Sequence, residues 1–172
     1  MAVFDKGELE LRVARLDGYL DALASINGRF KREHVMMACL LSAAGDSADV
    51  QVATLKLLGG WEEKSWSVVS VEKLESWASI ERDFFPDTLL SHPFGSAGLA
   101  ESVAVKNIRA FLSWQATDML MFMLSDDTVP KVDSYRLVLQ EPGAVRSEGY
   151  AYLYQGWWIF IQYIQWRKGD KR

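Results

Sequence analysis

SYRLVLQEPGAVRSEGYAYLYQGWWIFIQYIQWR, residues 134–167, carries a sustained strand pattern. Tyr135, Leu137 and Leu139 alternate with Arg136, Val138 and Gln140, the period of a strand with two unlike faces. Glu141-Pro142-Gly143 is a turn, because proline presets φ and glycine supplies a positive φ. A second strand follows from Arg146 to Tyr154, with Tyr150, Tyr152 and Tyr154 on one face and Ala151 and Leu153 on the other. Gln155-Gly156 closes a tight hairpin. Trp157 to Arg167 is rich in aromatic and β-branched residues, as strands are. Trp158, Phe160, Gln162 and Ile164 share one of its faces, and Trp157, Ile159, Ile161 and Tyr163 share the other. Apolar bulk on both faces predicts a strand inside the sheet or covered from both sides. Residues 134–167 therefore read as an antiparallel β-meander.

Upstream of the meander the pattern is mostly helical. Leu9, Val13, Leu16, Leu20 and Leu23 recur at spacings of four and three, one face of a helix that Asn27-Gly28 stops. Gly18 weakens its middle and is a place where it can break. Glu8 to Val13 also alternates like a strand, but the helical pattern runs longer. Lys31 to Ala44 reads as a second, central helix, apolar over most of its surface. Asp49 to Leu58 fits either state and is read as a helix stopped by Gly59-Gly60. Ser65 to Val71 reads as a short strand and Val71 to Ile80 as a helix, with Ser70 as its N-cap. Leu99 to Trp114 reads as a helix whose Ala104, Ile108, Phe111 and Leu112 share a face. Ala116 to Leu124, a near-continuous apolar run, reads as a buried strand. Phe84 to Gly98 loses all periodicity, and loops of that length often carry function.

The expected fold is α+β: a helical N-terminal half packed on a C-terminal antiparallel β-meander of about three to five strands. The 172 residues suit one domain, helix-rich over 6–115, sheet over 116–167, with a polar tail at 168–172 that frays. The order of helices followed by a meander resembles the cone-shaped α+β folds of the nuclear transport factor 2-like group. That analogy of architecture implies a pocket enclosed by a curved sheet.

Composition narrows function by exclusion. Nineteen Lys and Arg against 23 Asp and Glu leave a formal charge of −4, without the basic field that nucleic acid needs. Arg29, Lys31 and Arg32, and the basic tail near Trp166, are short clusters of the solubilising kind. Cys39 is the only cysteine, so no intrachain disulfide forms. The N-terminus lacks a cationic stretch followed by an apolar one, and apolar runs such as Trp157 to Ile161 fall far short of a membrane span. A cytoplasmic protein without membrane insertion is expected.

No complete chemical motif occurs. His34, Cys39 and His92 lack metal-ligand spacing, so no metal is expected. His92 with Ser91 or Ser96 and Asp87 sketches a triad without a nucleophile elbow. The carboxylate pairs Glu62/Glu63, Glu72/Glu75, Glu81/Asp83 and Asp126/Asp127 read as solvated faces, and Gly59-Gly60 as a turn rather than a phosphate cradle. No catalytic residue and no cofactor are expected.

Two functions survive. The first is a non-enzymatic protein-binding inhibitor, such as an immunity-type protein that neutralises a toxin partner. A partly exposed row of Tyr150, Tyr152, Tyr154 and Trp157 would anchor the partner, another protein. Glu62, Glu63, Glu81, Asp83 and Asp87 would pair with its basic cleft. The alternative is a small-molecule or enzymatic pocket lined by His92, Tyr152, Tyr154 and Trp158.

Overall fold

The leucine stripe of residues 9–23 forms the helix that its spacing predicts. In the computed structural model, which describes residues 6–27, 34–42, 49–59, 67–76, 78–85, 103–124, 132–140 and 143–166, helix α1 runs unbroken over Lys6–Asn27. Leu9, Val13, Leu16, Leu20 and Leu23 are all buried. Each such side chain contributes roughly 1.5–3 kcal/mol on burial, which outweighs the cost of about 1 kcal/mol at Gly18.

The meander is present as read. Strands β3 (Asp133–Gln140), β4 (Ala144–Tyr154) and β5 (Trp157–Trp166) pair antiparallel in sequence. Gly143 sits at φ +86°. Gln155 and Gly156 take φ +49° and +81°, the two left-handed positions that a tight two-residue hairpin requires. The N-terminal half supplies two more strands, β1 (His34–Ser42) and β2 (Ser67–Leu74), and they form the edges. The sheet order is β1-β5-β4-β3-β2. The fold is thus α+β with a five-stranded antiparallel sheet, and β5 lies inside it.

Three readings are corrected. Residues 31–44 are not a central helix: His34–Ser42 is β1, paired from His34↔Gln165 to Ser42↔Trp157. A short, wholly apolar run suits a buried helix and a two-sided strand equally. Here Met36, Ala38 and Leu40 face the core beneath α1, while Cys39 and Leu41 face the opposite core. Asp17 of α1 accepts a hydrogen bond from the Ala38 amide at 2.8 Å, tying the strand to the helix above it. Residues 71–80 are not one helix either. Strand β2 continues to Leu74, held by β3 in the pairs Val71↔Leu137 to Leu74↔Ser134, so Ser70 is a strand residue. A short helix α3 then spans Ser79–Asp83. Finally, residues 116–124 are not a strand. Helix α4 covers Val103–Leu124 without interruption, because no glycine or proline breaks it and Met and Leu are strong helix formers.

Helix α2 spans Val50–Gly59 as read. Asp49 caps it, its Oδ1 accepting from the amides of Gln51 at 2.8 Å and Val52 at 3.1 Å. Two cores result. One lies between the sheet and the α1 layer and holds the tyrosine row with Ile159, Ile161 and Tyr163. The other joins Val50, Ala53 and Leu58 of α2 to Leu137, Leu139, Ala151, Trp158 and Phe160. Among the described residues no helix is long and apolar enough to cross a membrane.

Candidate functional site: an aromatic ridge on α4 and an acidic cleft beside α3

The strand alternation places Tyr150, Tyr152 and Tyr154 on one face, as read, but that face is not exposed. All three are buried, at 1%, 0% and 3% exposure, beneath α1, Phe84 and Phe85. Tyr150 stacks on Tyr152 with centroids 6.4 Å apart and meets the Phe84 ring edge-on at 5.0 Å. The expected exposed tyrosine anchor is therefore core, because a large apolar ring under a leucine-lined helix is better buried than solvated. Trp157 is half-buried under the ammonium of Lys6, 5.3 Å from its ring. Trp158 is fully buried but faces the α2 side. It cannot line one pocket with Tyr152 and Tyr154, which face α1. Glu62, Glu63, Asp87 and His92 lie outside the described residues, and Glu81 lies in α3.

Asp83 does line a cleft. Strand β2 ends at Leu74, and the chain bends through Glu75 and Ser76. The Ala78 amide donates to Ser76 Oγ at 3.2 Å, and α3 begins at Ser79. Buried Ile80, Phe84 and Phe85 pin α3 against the sheet. The bend and α3 enclose a cleft of about 520 Å³ whose polar wall is Glu72, Lys73, Glu75, Ser76, Ser79 and Asp83.

Among the described residues two cations near this cleft, Lys73 and Arg136, are engaged. Lys73 is held by Asp133 at 2.6 Å, and that hydrogen bond raises its pKa. Arg136, the cross-strand neighbour of both Glu72 and Tyr150, donates to Glu148 Oε2 at 3.1 Å. Arg146 binds the other oxygen of the same carboxylate, which is buried. Glu72 and Glu75 have no ion-pair partner among the described residues. Among the described residues the cleft lining carries three carboxylates against one ammonium.

One lining hydroxyl, Ser79 Oγ, is shielded from solvent and makes no hydrogen bond among the described residues; the same holds for Tyr150 Oη, which lies in the core and not in the cleft lining. Burial pushes the Tyr150 phenol up to about 12, against the pull of Arg136 and with the help of Asp83, Glu148 and Glu72. The Tyr152 phenol is raised well above its ordinary value by burial. Acceptors dominate this arrangement. Among the described residues no group of three His, Cys, Asp or Glu side chains could hold a metal ion. What it can do chemically is accept hydrogen bonds from a cation.

The second feature lies on α4. Ile108, Phe111 and Trp114 are 51%, 56% and 56% exposed, and the Phe111 and Trp114 rings lie 6.2 Å apart. The helix turns inward instead with Leu112, Ser113, Ala116, Thr117 and Met119. Tyr19 of α1 donates to Gln115 Oε1 at 3.0 Å and fixes this orientation. The shared face expected for Ala104, Ile108, Phe111 and Leu112 is thus divided: Ile108 and Phe111 point outward. The signal that could have found this is the small trio Ser113, Ala116 and Thr117, which permits close helix packing opposite the bulky trio. Helix α3 packs against α4, so the cleft and the ridge belong to one layer of the molecule.

No protein-family model matches the chain, and no curated protein matches it. Among solved structures it is similar to citrus MAF1 in two crystal forms. One match has 11% identity and a TM-score of 0.43, over 89% of this chain and 97% of that one. The other has 14% identity and a TM-score of 0.40, over 91% and 98%. Similarity at that level carries no argument about function.

Proposed function

We propose that this chain acts in the cytoplasm by binding another protein, as a non-enzymatic inhibitor of the immunity type, with the α4 ridge as its anchor. The observation that carries the reading is the pair Phe111 and Trp114, each more than half exposed and neighbours on a helix whose other side is packed. Aromatic side chains held on a rigid element are the groups that dominate protein-interface energetics. Leaving them in water is costly, and a partner that covers them recovers roughly 25 cal/mol for each Å² of apolar surface. The acidic cleft alongside supports the same reading, since charge complementarity steers a basic partner into register.

The aromatic-pocket alternative draws no such support. It needs Tyr152, Tyr154 and Trp158 around one cavity, and they occupy opposite cores.

Affinity purification of the tagged chain from its native cell tests the proposal. One protein retained at a fixed stoichiometry is the expected result. A small molecule co-purifying with no protein retained would overturn it.

A further inference from the structure

We infer that the outer edge of β2, over residues 70–74, receives an extended basic segment of the protein partner as an added antiparallel strand. This deepens the protein-binding reading and rests on it, but it concerns a different surface from the α4 ridge. The two edges of the sheet are finished differently. At β1 the Ala38 amide is taken by Asp17 at 2.8 Å, and α1 packs on the strand. β2 pairs with β3 alone, and among the described residues no hydrogen bond reaches its backbone from outside the sheet. Val69 and Val71 are 60% and 36% exposed, so the edge is open to solvent.

Natural sheets blunt a free edge with proline, an outward lysine or a bulge. β2 has no proline, and Lys73 is turned back onto β3, held by Asp133 at 2.6 Å and lying over the Tyr135 ring. The bulge between Val68 and Ser70 interrupts only the start of the strand. Residues 70–74 keep a regular ladder, whose outward amides and carbonyls are the groups that pair with an added strand.

Charge selects the occupant. Side chains directly opposite on paired strands share a face, where opposite charges attract and like charges repel. Glu72 is exposed, and its neighbour on β3, Arg136, is bound to Glu148. The position opposite Glu72 therefore takes an arginine or lysine, and the position opposite Val71 an apolar side chain. A second copy of this chain does not supply them. A two-fold axis through the sheet preserves its faces, so residue 72 meets only Ser70, Glu72 or Leu74 of the other copy, never Lys73.

The test titrates the intact chain with blocked hexapeptides, read by backbone amide chemical shifts and hydrogen exchange. A peptide alternating arginine and valine should bind saturably, with shifts and slowed exchange centred on residues 70–74. A glutamate–valine peptide should not bind, and neither should the arginine–valine peptide N-methylated throughout, which has no amide to donate. Glu72→Lys should weaken the arginine–valine peptide about tenfold or more and admit the glutamate–valine one, at an unchanged unfolding midpoint. Ser70→Lys, on the same face, should weaken the arginine–valine peptide too, and serves if the first variant does not fold. Absence of saturation, equal binding of the methylated or the glutamate peptide to the native chain, or a free chain that dimerises with residues 70–74 protected would overturn the inference. If a captured partner is lost by α4 variants but binds the Glu72→Lys variant unchanged and leaves residues 70–74 unprotected, this inference falls and the protein-binding reading stands.

Discussion

Gly149 is where the sheet tolerates least. A Cβ there would sit 2.5 Å from the Ile161 carbonyl oxygen and 3.3 Å from Gln162 Cα, both backbone atoms of the neighbouring strand β5. Nothing flexible can give way, so Gly149→Ala should cost about 3 kcal/mol, measured as a lower urea midpoint. Glu148 is the other sensitive position, a buried carboxylate shared by Arg136 and Arg146. Glu148→Gln keeps the shape and removes the charge, and should cost about 2 kcal/mol in the same assay. Titration adds a third prediction. Burial, and secondarily the Asp17 carboxylate, pushes the Cys39 thiol from 9.0 up to about 12, and the Tyr150 phenol rises from 10.0 to about 12. Both groups hold their protons more tightly when folded. The stability they confer is complete below about pH 9 and is lost as the pH rises towards 12. Denaturant midpoints should therefore fall across that window, and Cys39→Ala should flatten the part between 9 and 10. At this scale the sequence announced the tyrosine row by its alternation. It could not announce the burial of that row, which depends on α1 and on Phe84 and Phe85 arriving from far along the chain.

At the scale of elements, α1 offers a clean check. Gly18 lies in its interior, is exposed, and a Cβ there would meet nothing within 4 Å. Gly18→Ala should stabilise the protein by about 0.5–1 kcal/mol, seen as a higher thermal midpoint. A loss of stability would mean that the helix is interrupted there. The elements that were legible are those whose sequence period settles the matter locally: the leucine stripe of α1 and the two-sided strand β5. Those that were not are apolar runs without a period. Val35 to Leu41 became β1 because β5 offers an edge on which every residue from His34 to Ser42 finds a partner. Met119 to Leu124 stayed helical because nothing after Trp114 interrupts α4. In β2 the strand outran its expected end because β3 templates it through Leu74, with a bulge between Val68 and Ser70. In each case a partner distant in sequence decided the outcome, and local propensity did not.

For the whole molecule, the sheet order explains where function can reside. The meander occupies the middle, with β5 and β4 covered on both faces, so its aromatic rows are structural. The edges and the outer helix surfaces are left for recognition. The expectation that the meander itself would be the working surface follows from its aromatic content, but burial assigns those rings to the two cores. The exposed aromatic pair belongs instead to α4, where Phe111 was expected to share a face with Leu112. Of the acidic groups named from sequence, Asp83 lies at the cleft, together with Glu72 and Glu75, which their spacing alone marked as a solvated face. Recognition through the α4 ridge requires that Phe111 and Trp114 be covered by a partner. The most direct measurement compares the affinity of the purified partner for the native chain with that for the Phe111→Ser/Trp114→Ser double variant, each first shown to have the same unfolding midpoint. Loss of at least about a hundredfold in affinity, some 2.7 kcal/mol, is the predicted result for a pair of interface anchors; an affinity unchanged within threefold would contradict it.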